Sequence, residues 1–405
     1  MTGIRRVIVA GGGIGGMAAA LALQHKGFDS VVFERAQALR DGGAGVHLWT
    51  NGMLALDSLG VADHLLKSTV AQQFCHFSTW RGEVMAAWRV GEFAERHGQP
   101  TIGVERSALH AALRNALGGS QIHAGARVIG CTQDERGVAV RLADGQVERG
   151  DLLIGADGIH SAVRAGLHGT RPPRYNGYIA QRGKAFLRHD LIPPGSFNAM
   201  FGPGIRFVYY DVAPGVVHWM SVANGPAAGH DDPGVLRTLT ERHRDWAAPV
   251  GDILAATPPS GIIRSEALDR KPDRRWGAGR VTLLGDAAHP MAFNIGQGAC
   301  QAVEDAVVLA ECLASAPADP VSALRAYEKE RRARTARLQR AAWWLGRMAA
   351  VEHPALVRMR EAFMRSTYPK ILFAAERNQM RCAARALSNS DQKFSLPTHD
   401  SRERL

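Results

Sequence analysis

Three acidic residues stand where a side chain could meet a ligand, because each closely follows a short apolar run. They are Glu34, Asp157 and Asp286, and glycines lie beside the second and the third. A carboxylate at the end of a strand can accept hydrogen bonds from the hydroxyl groups of a ribose or a polyol. The chemistry that these positions indicate is the binding of a nucleotide-like molecule.

The first acid has a glycine motif at the expected distance. Gly11, Gly13 and Gly16 match G-x-G-x-x-G between the apolar run 7–10 and a helical pattern. Glu34 follows Gly16 by 34 − 16 = 18 residues, where about 20 are expected for a ribose-binding acid. The motif alone would also fit a chance glycine-rich turn. Strand, glycines, helix and acid together predict an adenine dinucleotide, FAD or NAD rather than NADP.

A second glycine-rich turn lies around Asp286. The apolar run 281–284 precedes it, and Gly296, Gln297 and Gly298 lead into a helical pattern. Free backbone N–H groups at such a helix start can bind phosphate or a partly anionic ring. The competing interpretation is a plain turn between two core elements. The loop 41–45, which precedes Val46, allows the same two interpretations.

The order of patterns predicts an α/β fold. Residues 51–66 read as a helix, and a β-meander is expected at 126–131, 137–142 and 152–154. Frequent prolines and glycines with short β-like runs in 171–265 predict an antiparallel sheet in a separate lobe. There, the side chains that are candidates to line a pocket are Arg182, Arg206, Tyr209, Tyr210, Trp219 and Met220.

Composition excludes several classes of protein. The chain of 405 residues has a net charge of +11, but the excess is scattered, so a nucleic-acid partner is not expected. The five cysteines form no close pair, so we expect no metal site, no disulfide scaffold and a reducing cytoplasm. No apolar run is long enough to span a bilayer. Oligomeric state is not readable.

Three segments together resemble one family, the single-component FAD-dependent aromatic hydroxylases and epoxidases of the para-hydroxybenzoate hydroxylase type. They are GGGIGG with Glu34, GADGIHSAVR at 155–164, and GDAAHPMAFNIGQGACQAVEDA at 285–306. Among its members, the chain looks most similar to the salicylate-, urate-, quinolone- and zeaxanthin-type enzymes. The resemblance implies a Rossmann-like FAD-binding domain with an inserted antiparallel β-sheet substrate domain and a C-terminal helical segment.

The resemblance also implies the domain boundaries. The FAD-binding domain would comprise 1–72, 100–170 and 270–345, and the substrate domain would comprise 73–99 and 171–269. Helices would follow at 346–388, and we expect residues 389–405 to form a disordered tail.

Roles carry over by position. Arg106, at the start of an amphipathic helix, would contact the middle of FAD, and Val46 would lie beside its ring. The full set of implied cofactor-binding residues is Gly11, Gly13, Ile14, Gly16, Glu34, Arg35, Gly45, Val46, Arg106, Asp157, Asp286, Gly296, Gln297 and Gly298. Phe293 replaces the proline of many relatives, which implies that it shapes the substrate pocket together with Arg182, Arg206, Tyr209 and Trp219.

The implied activity is the insertion of one oxygen atom from O2 into an aromatic or unsaturated small molecule, such as a polyene, through a C4a-hydroperoxyflavin. NADH or NADPH would be the transient reductant. A side-chain base is not obligatory, and His47, Arg206 and Tyr210 are the candidates to activate or hold a phenol or an acid. An FAD-dependent reductase or dehydrogenase without oxygen insertion is the alternative. A flavin- or nucleic-acid-binding regulator is a weaker one.

Overall fold

The computed structural model describes residues 4–37, 45–118, 121–227 and 234–367. Within these ranges the strands are β1 Arg6–Ala10, β2 Asp29–Glu34, β3 Gly45–Leu48, β4 Phe74–Thr79, β5 Val84–Arg89, β6 Ile102–Glu105, β7 Ile122–Ala124, β8 Val128–Gln133, β9 Val138–Leu142, β10 Val147–Gly150, β11 Leu152–Gly155, β12 Arg174–Phe186, β13 Ser196–Gly202, β14 Ile205–Ala213, β15 Val216–Asn224, β16 Ile263–Asp269 and β17 Val281–Leu283.

The helices alternate with these strands in the first half of the chain and dominate its end. They are α1 Ile14–His25, α2 Thr50–Ser58, α3 Ala62–Leu66, α4 Gly91–His97, α5 Arg106–Leu117, α6 Ala162–His168, α7 Val235–Arg242, α8 Val250–Ala255, α9 Gly298–Ser315, α10 Pro320–Ala349 and α11 Pro354–Ser366. The single helix expected over 51–66 is two helices, because the chain turns at Gly60, which has a positive φ of 69°.

A parallel sheet of five strands forms the centre of the cofactor-binding half, in the order β17-β11-β1-β2-β7. Its central strand, residues 7–10, is completely buried, as expected for a strand covered on both faces. Residues 152–154 were expected in the meander, and that prediction is wrong. They pair in parallel with β1, because their continuous apolar run suits the buried centre of a sheet. The strands expected in the meander at 126–131 and 137–142 instead form a separate three-stranded antiparallel sheet with β10, in the order β10-β9-β8.

The second large sheet has seven strands in the order β16-β12-β15-β14-β13-β4-β5. All neighbours are antiparallel except β13 and β4, which are parallel. Side chains on its two faces alternate along each strand. One face packs on α7 and α8 through an apolar cluster that includes Phe207, Trp219 and Leu254. The other face turns toward the parallel sheet.

Long helices close the structure around these sheets. The 18-residue α9 packs on α1, and the 30-residue α10 runs beside it. No helix among the described residues is long and apolar enough to cross a membrane. Most of the loop 41–45, and the segments 368–388 and 389–405, lie outside the described residues. The predicted domain boundaries therefore stay a prediction.

Candidate active site

Two cavities adjoin one another beside the parallel sheet, and the larger one also borders the seven-stranded sheet. The larger has a volume of about 1580 Å³ and the smaller about 1050 Å³. Both are lined by Gly13, Arg106, Ala156 and Gly158, so they meet at the carboxyl ends of β1 and β11. In open α/β sheets, ligands bind at this edge.

The smaller cavity is built from the first glycine motif and its acid. Gly11, Gly13 and Arg35 line it beside Glu34. The Glu34 carboxylate accepts the backbone N–H of Gly12 at 2.6 Å and that of Ala36 at 2.9 Å. These two bonds hold the carboxylate in place at the end of β2, where its remaining lone pairs face the cavity.

Gly16 is needed for close packing rather than for contact with a ligand. A Cβ atom there would lie 1.9 Å from the carbonyl oxygen of Gly11, so no other residue fits. The loop can therefore fold tightly over the start of α1. No side chain caps that helix, and the N–H groups of its first turn are available to a phosphate. Ile14 stands in this turn and lines the larger cavity.

Asp157 has a structural role that the sequence did not predict. Its Oδ2 accepts the backbone N–H groups of Ala162 and Val163 at 2.7 and 3.2 Å, at the start of α6. Its Oδ1 is buried and makes no hydrogen bond to the described residues. Burial raises the pKa of this carboxyl. Sequence reasoning missed a neighbour, His110, whose Nε2 lies 2.6 Å from the Gly12 carbonyl.

The larger cavity begins at the second glycine turn. Gly296, Gln297 and Gly298 line it together with Asp286, Gly45 and Val46. Gly296 has a φ of 64°, a left-handed conformation that favours glycine. The chain thereby turns into α9, whose start has no side-chain cap. Asp286 opens into this cavity, yet the cavity is deep enough that burial raises the pKa of its carboxyl.

A buried ionic cluster supports the start of α9 from beneath. Arg331 donates to Asp305 at 2.6 Å and to Glu304 at 2.7 Å, and Arg334 donates to Glu304 at 2.8 Å. Burial opposes ionisation of Glu304, but the two guanidinium groups outweigh it and hold the pKa of this carboxyl below its usual value. Asn51 links Glu304 to Gln297, so the cluster fixes the residue that immediately precedes the helix.

Two arginines project into the same cavity from the seven-stranded sheet. Arg206, 6% exposed, donates to the Asn294 side chain. Arg182 lies 5.3 Å from the ring centre of Phe293, and its buried Nε has no hydrogen-bond partner among the described residues. Neither forms an ion pair with a described acidic residue. Burial lowers the pKa of Arg206 to about 10 and also lowers that of Arg182, yet Arg206 remains a cation at neutral pH.

His47 and Tyr210 lie together on the wall of this cavity, with ring centres 5.4 Å apart. His47 Nε2 lies 2.6 Å from the Gln72 side chain, and its buried Nδ1 has no hydrogen-bond partner within the part of the chain that the structure describes. Burial lowers the pKa of His47 to about 4, so the imidazole is neutral at pH 7. Burial raises the pKa of Tyr210 well above its usual value, so the phenol stays protonated. The three catalytic candidates predicted from the sequence are His47, Tyr210 and Arg206, and all three line this cavity.

Two predicted substrate-binding residues are not in the cavity. Tyr209 and Trp219 pair with each other across β14 and β15, and both belong to the apolar cluster on α7 and α8. Because side chains alternate along a strand, their neighbours face the cavity instead. These are Tyr210, which was also predicted, and His218, which was missed although the alternation could have shown it. His218 accepts the Gly45 N–H at 3.0 Å and ties the two halves together.

The residues present fit FAD. A close-packed glycine loop and two uncapped helix starts face one continuous space, which suits a dinucleotide whose phosphates and ring both approach the backbone. Glu34 lines the smaller cavity and Asp286 the larger one. The aromatic and cationic chamber of the larger cavity leaves room for a second, small molecule. Fold and site thus define a flavin-binding oxidoreductase.

Comparison with known proteins agrees with this class. A family model described as "FAD binding domain" matches residues 5–184 and 221–342. An aurachin C monooxygenase/isomerase of Stigmatella aurantiaca is 39% identical over 359 residues, which are 89% of this chain and 93% of that protein. A zeaxanthin epoxidase of Nicotiana plumbaginifolia is 36% identical over 85% of this chain and 55% of its own length.

Solved structures extend the likeness to three dimensions. Klebsiella pneumoniae HpxO complexed with FAD and uric acid superposes with a TM-score of 0.87 at 31% identity, covering 93% of this chain and 97% of that chain. A Klebsiella pneumoniae FAD-dependent urate hydroxylase is 35% identical over 80% of this chain and 85% of its length. The chain belongs to this FAD-binding family and is an FAD-dependent monooxygenase that uses NADH or NADPH and O2.

Proposed function

We propose that the substrate is a planar aromatic molecule with an anionic or strongly polarised oxygen, such as a phenolate, an enolate or a carboxylate. The observation that carries this proposal is the pair Arg206 and Arg182, which line the cavity without a described acidic partner. A cation withdrawn from water is costly unless it is paired. A substrate oxyanion would supply the missing charge, and the alternative substrate, a neutral polyene, would not.

FAD, held by the glycine loop, Glu34 and the start of α9, would supply the redox chemistry: acceptance of hydride from NADH or NADPH and delivery of one oxygen atom of O2 to the substrate, with the other oxygen atom released as water. The protein holds the substrate for this transfer. Arg206 can donate to the substrate oxygen while Asn294 fixes its guanidinium plane. Asn294 is itself held by the Tyr178 hydroxyl at 2.6 Å and the Ala342 carbonyl at 2.7 Å.

His47 and Tyr210 have complementary abilities at the same wall. The neutral imidazole of His47 can accept a proton or a hydrogen bond. The Tyr210 hydroxyl, whose pKa is raised, can donate one but does not act as a base. Electron density on a phenolic ring rises when its O–H is deprotonated, which favours attack of the ring on an electrophilic oxygen. With a pKa lowered to about 4, His47 is a weak base, so it is our candidate to accept a hydrogen bond from that O–H while Arg206 stabilises the oxyanion.

Aromatic and apolar residues exclude water from the chamber. Phe77, Trp88, Phe197, Val208 and Met220 line it around the polar groups. A water-poor chamber strengthens the attraction between Arg206 and an oxyanion, and it protects reactive oxygen species from hydrolysis.

The test is NADH and NADPH oxidation in air by purified, FAD-loaded protein, with product mass recorded. The panel contains phenols, salicylates, quinolones, urate and polyenes, and each acidic compound is matched with its O-methyl ether or ester. We expect acidic aromatics to accelerate oxidation and to gain one oxygen atom, and the blocked analogues to do neither.

Three other outcomes have separate meanings. Oxygen insertion into polyenes alone would contradict the aromatic substrate but not the monooxygenase. Equal turnover of acids and blocked analogues would remove the role proposed for the arginines. Acceleration with only hydrogen gained or lost would favour the reductase or dehydrogenase.

A further inference from the structure

Four large apolar side chains are exposed on the last two described helices. Trp344 on α10 is 67% exposed, and Leu356, Met359 and Phe363 on α11 are 48%, 66% and 37% exposed. The three α11 residues are spaced i, i+3 and i+7, so they form one stripe along the helix. The opposite face of α11, with Val357, Arg360 and Met364, is buried. We call the four exposed residues the mouth patch.

Two of the four residues of the mouth patch, Trp344 and Phe363, stand at the opening of the substrate cavity. Trp344 and Phe363 line the larger cavity together with Leu345 and Met348. The apolar lining of the chamber therefore continues to the surface through these four lining residues. Contiguous exposed apolar surface on a folded protein marks a site of interaction.

The rim of the patch is strongly basic. Between residues 337 and 366 the chain has six arginines and two glutamates. Arg337 and Arg347 line the cavity mouth, and Arg340 and Arg358 are exposed on the same two helices. None of these four forms an ion pair with a described acidic residue. Arginine can extend its charge into the headgroup layer of a bilayer while its stem covers apolar surface.

We propose that α10 and α11 dock the enzyme on an anionic bilayer surface, with the mouth patch inserted at the level of the headgroups. Apolar and aromatic side chains beside a basic rim are the combination that binds such interfaces. Substrate would then enter the cavity from the bilayer without crossing water. The proposal does not depend on the identity of the substrate, because binding is measured without turnover.

Charge favours this occupant over two others. Residues 368–405 follow α11 directly, but they contain seven Lys or Arg and four Asp or Glu, and a basic segment does not complement a basic rim. A second copy of the chain would bring the same arginines face to face. An anionic bilayer complements them.

The experiment is co-sedimentation of full-length, FAD-loaded protein with vesicles of phosphatidylcholine alone and of an equal mixture of phosphatidylcholine and phosphatidylglycerol. We expect retention by the mixed vesicles, weakened by added salt. The double variant Leu356→Ser/Met359→Ser should lower the partition coefficient about tenfold. Arg358→Ala should lower it about fivefold.

A matched control is available elsewhere on the surface. Phe186 and Leu191 are 58% and 55% exposed, and the variant Phe186→Ser/Leu191→Ser should bind vesicles as the wild type does. The bound FAD absorbance shows that each variant is folded. None of the residues altered in these vesicle-binding variants lines the cavity.

Other results would overturn the proposal. Equal retention by both kinds of vesicle, or equal losses in the mouth-patch and control variants, would show that the patch does not direct binding. A stable dimer in analytical ultracentrifugation that Leu356→Ser/Met359→Ser dissociates would assign the surface to a second copy. No vesicle binding, with Trp344 shielded from acrylamide in a comparison with Trp344→Phe, would assign it to the chain's own C-terminal segment.

Discussion

The two halves of the active site are built by different means. The cofactor half presents backbone N–H groups and a glycine loop, and its determinants lie within a few residues of one another in the chain. The substrate half presents side chains, among them Arg182, Arg206 and His47, which converge from three separate strands. Cofactor binding by backbone groups therefore depends on short local segments of the sequence. Substrate binding by side chains depends instead on strand pairing and on the face of the sheet that each residue occupies.

The strongest challenge to this comparison is Gly16→Val. The added Cβ would lie 1.9 Å from the Gly11 oxygen, which forces the loop apart at a cost of about 3 kcal/mol or more. We expect FAD affinity to fall at least about a hundredfold, measured from the flavin content and by titration of the apoprotein. Gly166→Ala in α6 is the control, because a Cβ there meets nothing within 4 Å. Retained FAD would show that the backbone cradle is not decisive.

Arg206→Gln tests the substrate half. It removes a buried charge that we propose to pair with the substrate, which costs about 3 kcal/mol, so kcat/KM for an acidic aromatic should fall about a hundredfold while FAD stays bound. Arg188→Gln, at an exposed position of the same lobe, should leave kcat/KM unchanged. An equal loss with the blocked, neutral analogue would speak against charge pairing.

Acid should destabilise the substrate half first. Burial lowers the pKa of His243, which packs on the cavity-distal face, from 6.5 to about 4. Between pH 6.5 and pH 4, this histidine is protonated in the unfolded chain but not in the folded chain. The free energy of unfolding therefore falls as the pH falls through this range. For this residue we expect a loss of about 2 kcal/mol from pH 7 to pH 5.

Urea unfolding followed by tryptophan fluorescence measures this loss. His243→Asn should have lower stability at pH 7 but a flatter dependence on pH. An unchanged slope would assign the acid sensitivity to other groups, of which His47 and His218, with pKa values lowered to about 4 and about 3, are the next candidates.

The smallest effects test the two faces of β14. Tyr210→Phe removes a hydroxyl from the cavity wall and should raise KM about fivefold, the value of about one hydrogen bond. Tyr209→Phe alters the adjacent residue on the other face and should leave kcat and KM within about twofold. Steady-state kinetics on the same substrate decides, and equal effects would mean that position on the strand does not select the substrate residues.

Much of the cofactor half could be predicted from the sequence. The glycine loop, Glu34, the strand at 281–283 and the start of α9 follow from short patterns of fixed geometry, and the structure brings Gly296–Gly298 and Asp286 to one cavity. Their proposed contacts with FAD stay predictions. Residues 152–154 were misplaced because a buried apolar strand looks the same in a meander and in a parallel sheet.

The substrate half was harder to predict for a physical reason. Tyr209 and Trp219 have the residue types of a binding site, but pairing between β14 and β15 sets them on the other face. His218 is buried, and so is the Nδ1 atom of His47, which has no hydrogen-bond partner among the described residues. Burial of this kind cannot be read from a sequence. The ionic cluster of Glu304, Asp305, Arg331 and Arg334 likewise requires the packing of α9 on α10.

Arg206 forms no ion pair with a described acidic residue, and this has a practical consequence for finding the natural substrate. A ligand that binds the folded protein alone raises its melting temperature, and the rise grows with ligand concentration over Kd. Compounds that neutralise this guanidinium should stand out in a thermal-shift screen of organic acids, even when they are never turned over. A rise in melting temperature can thus identify the ligands that the cavity prefers, before any assay of the reaction exists.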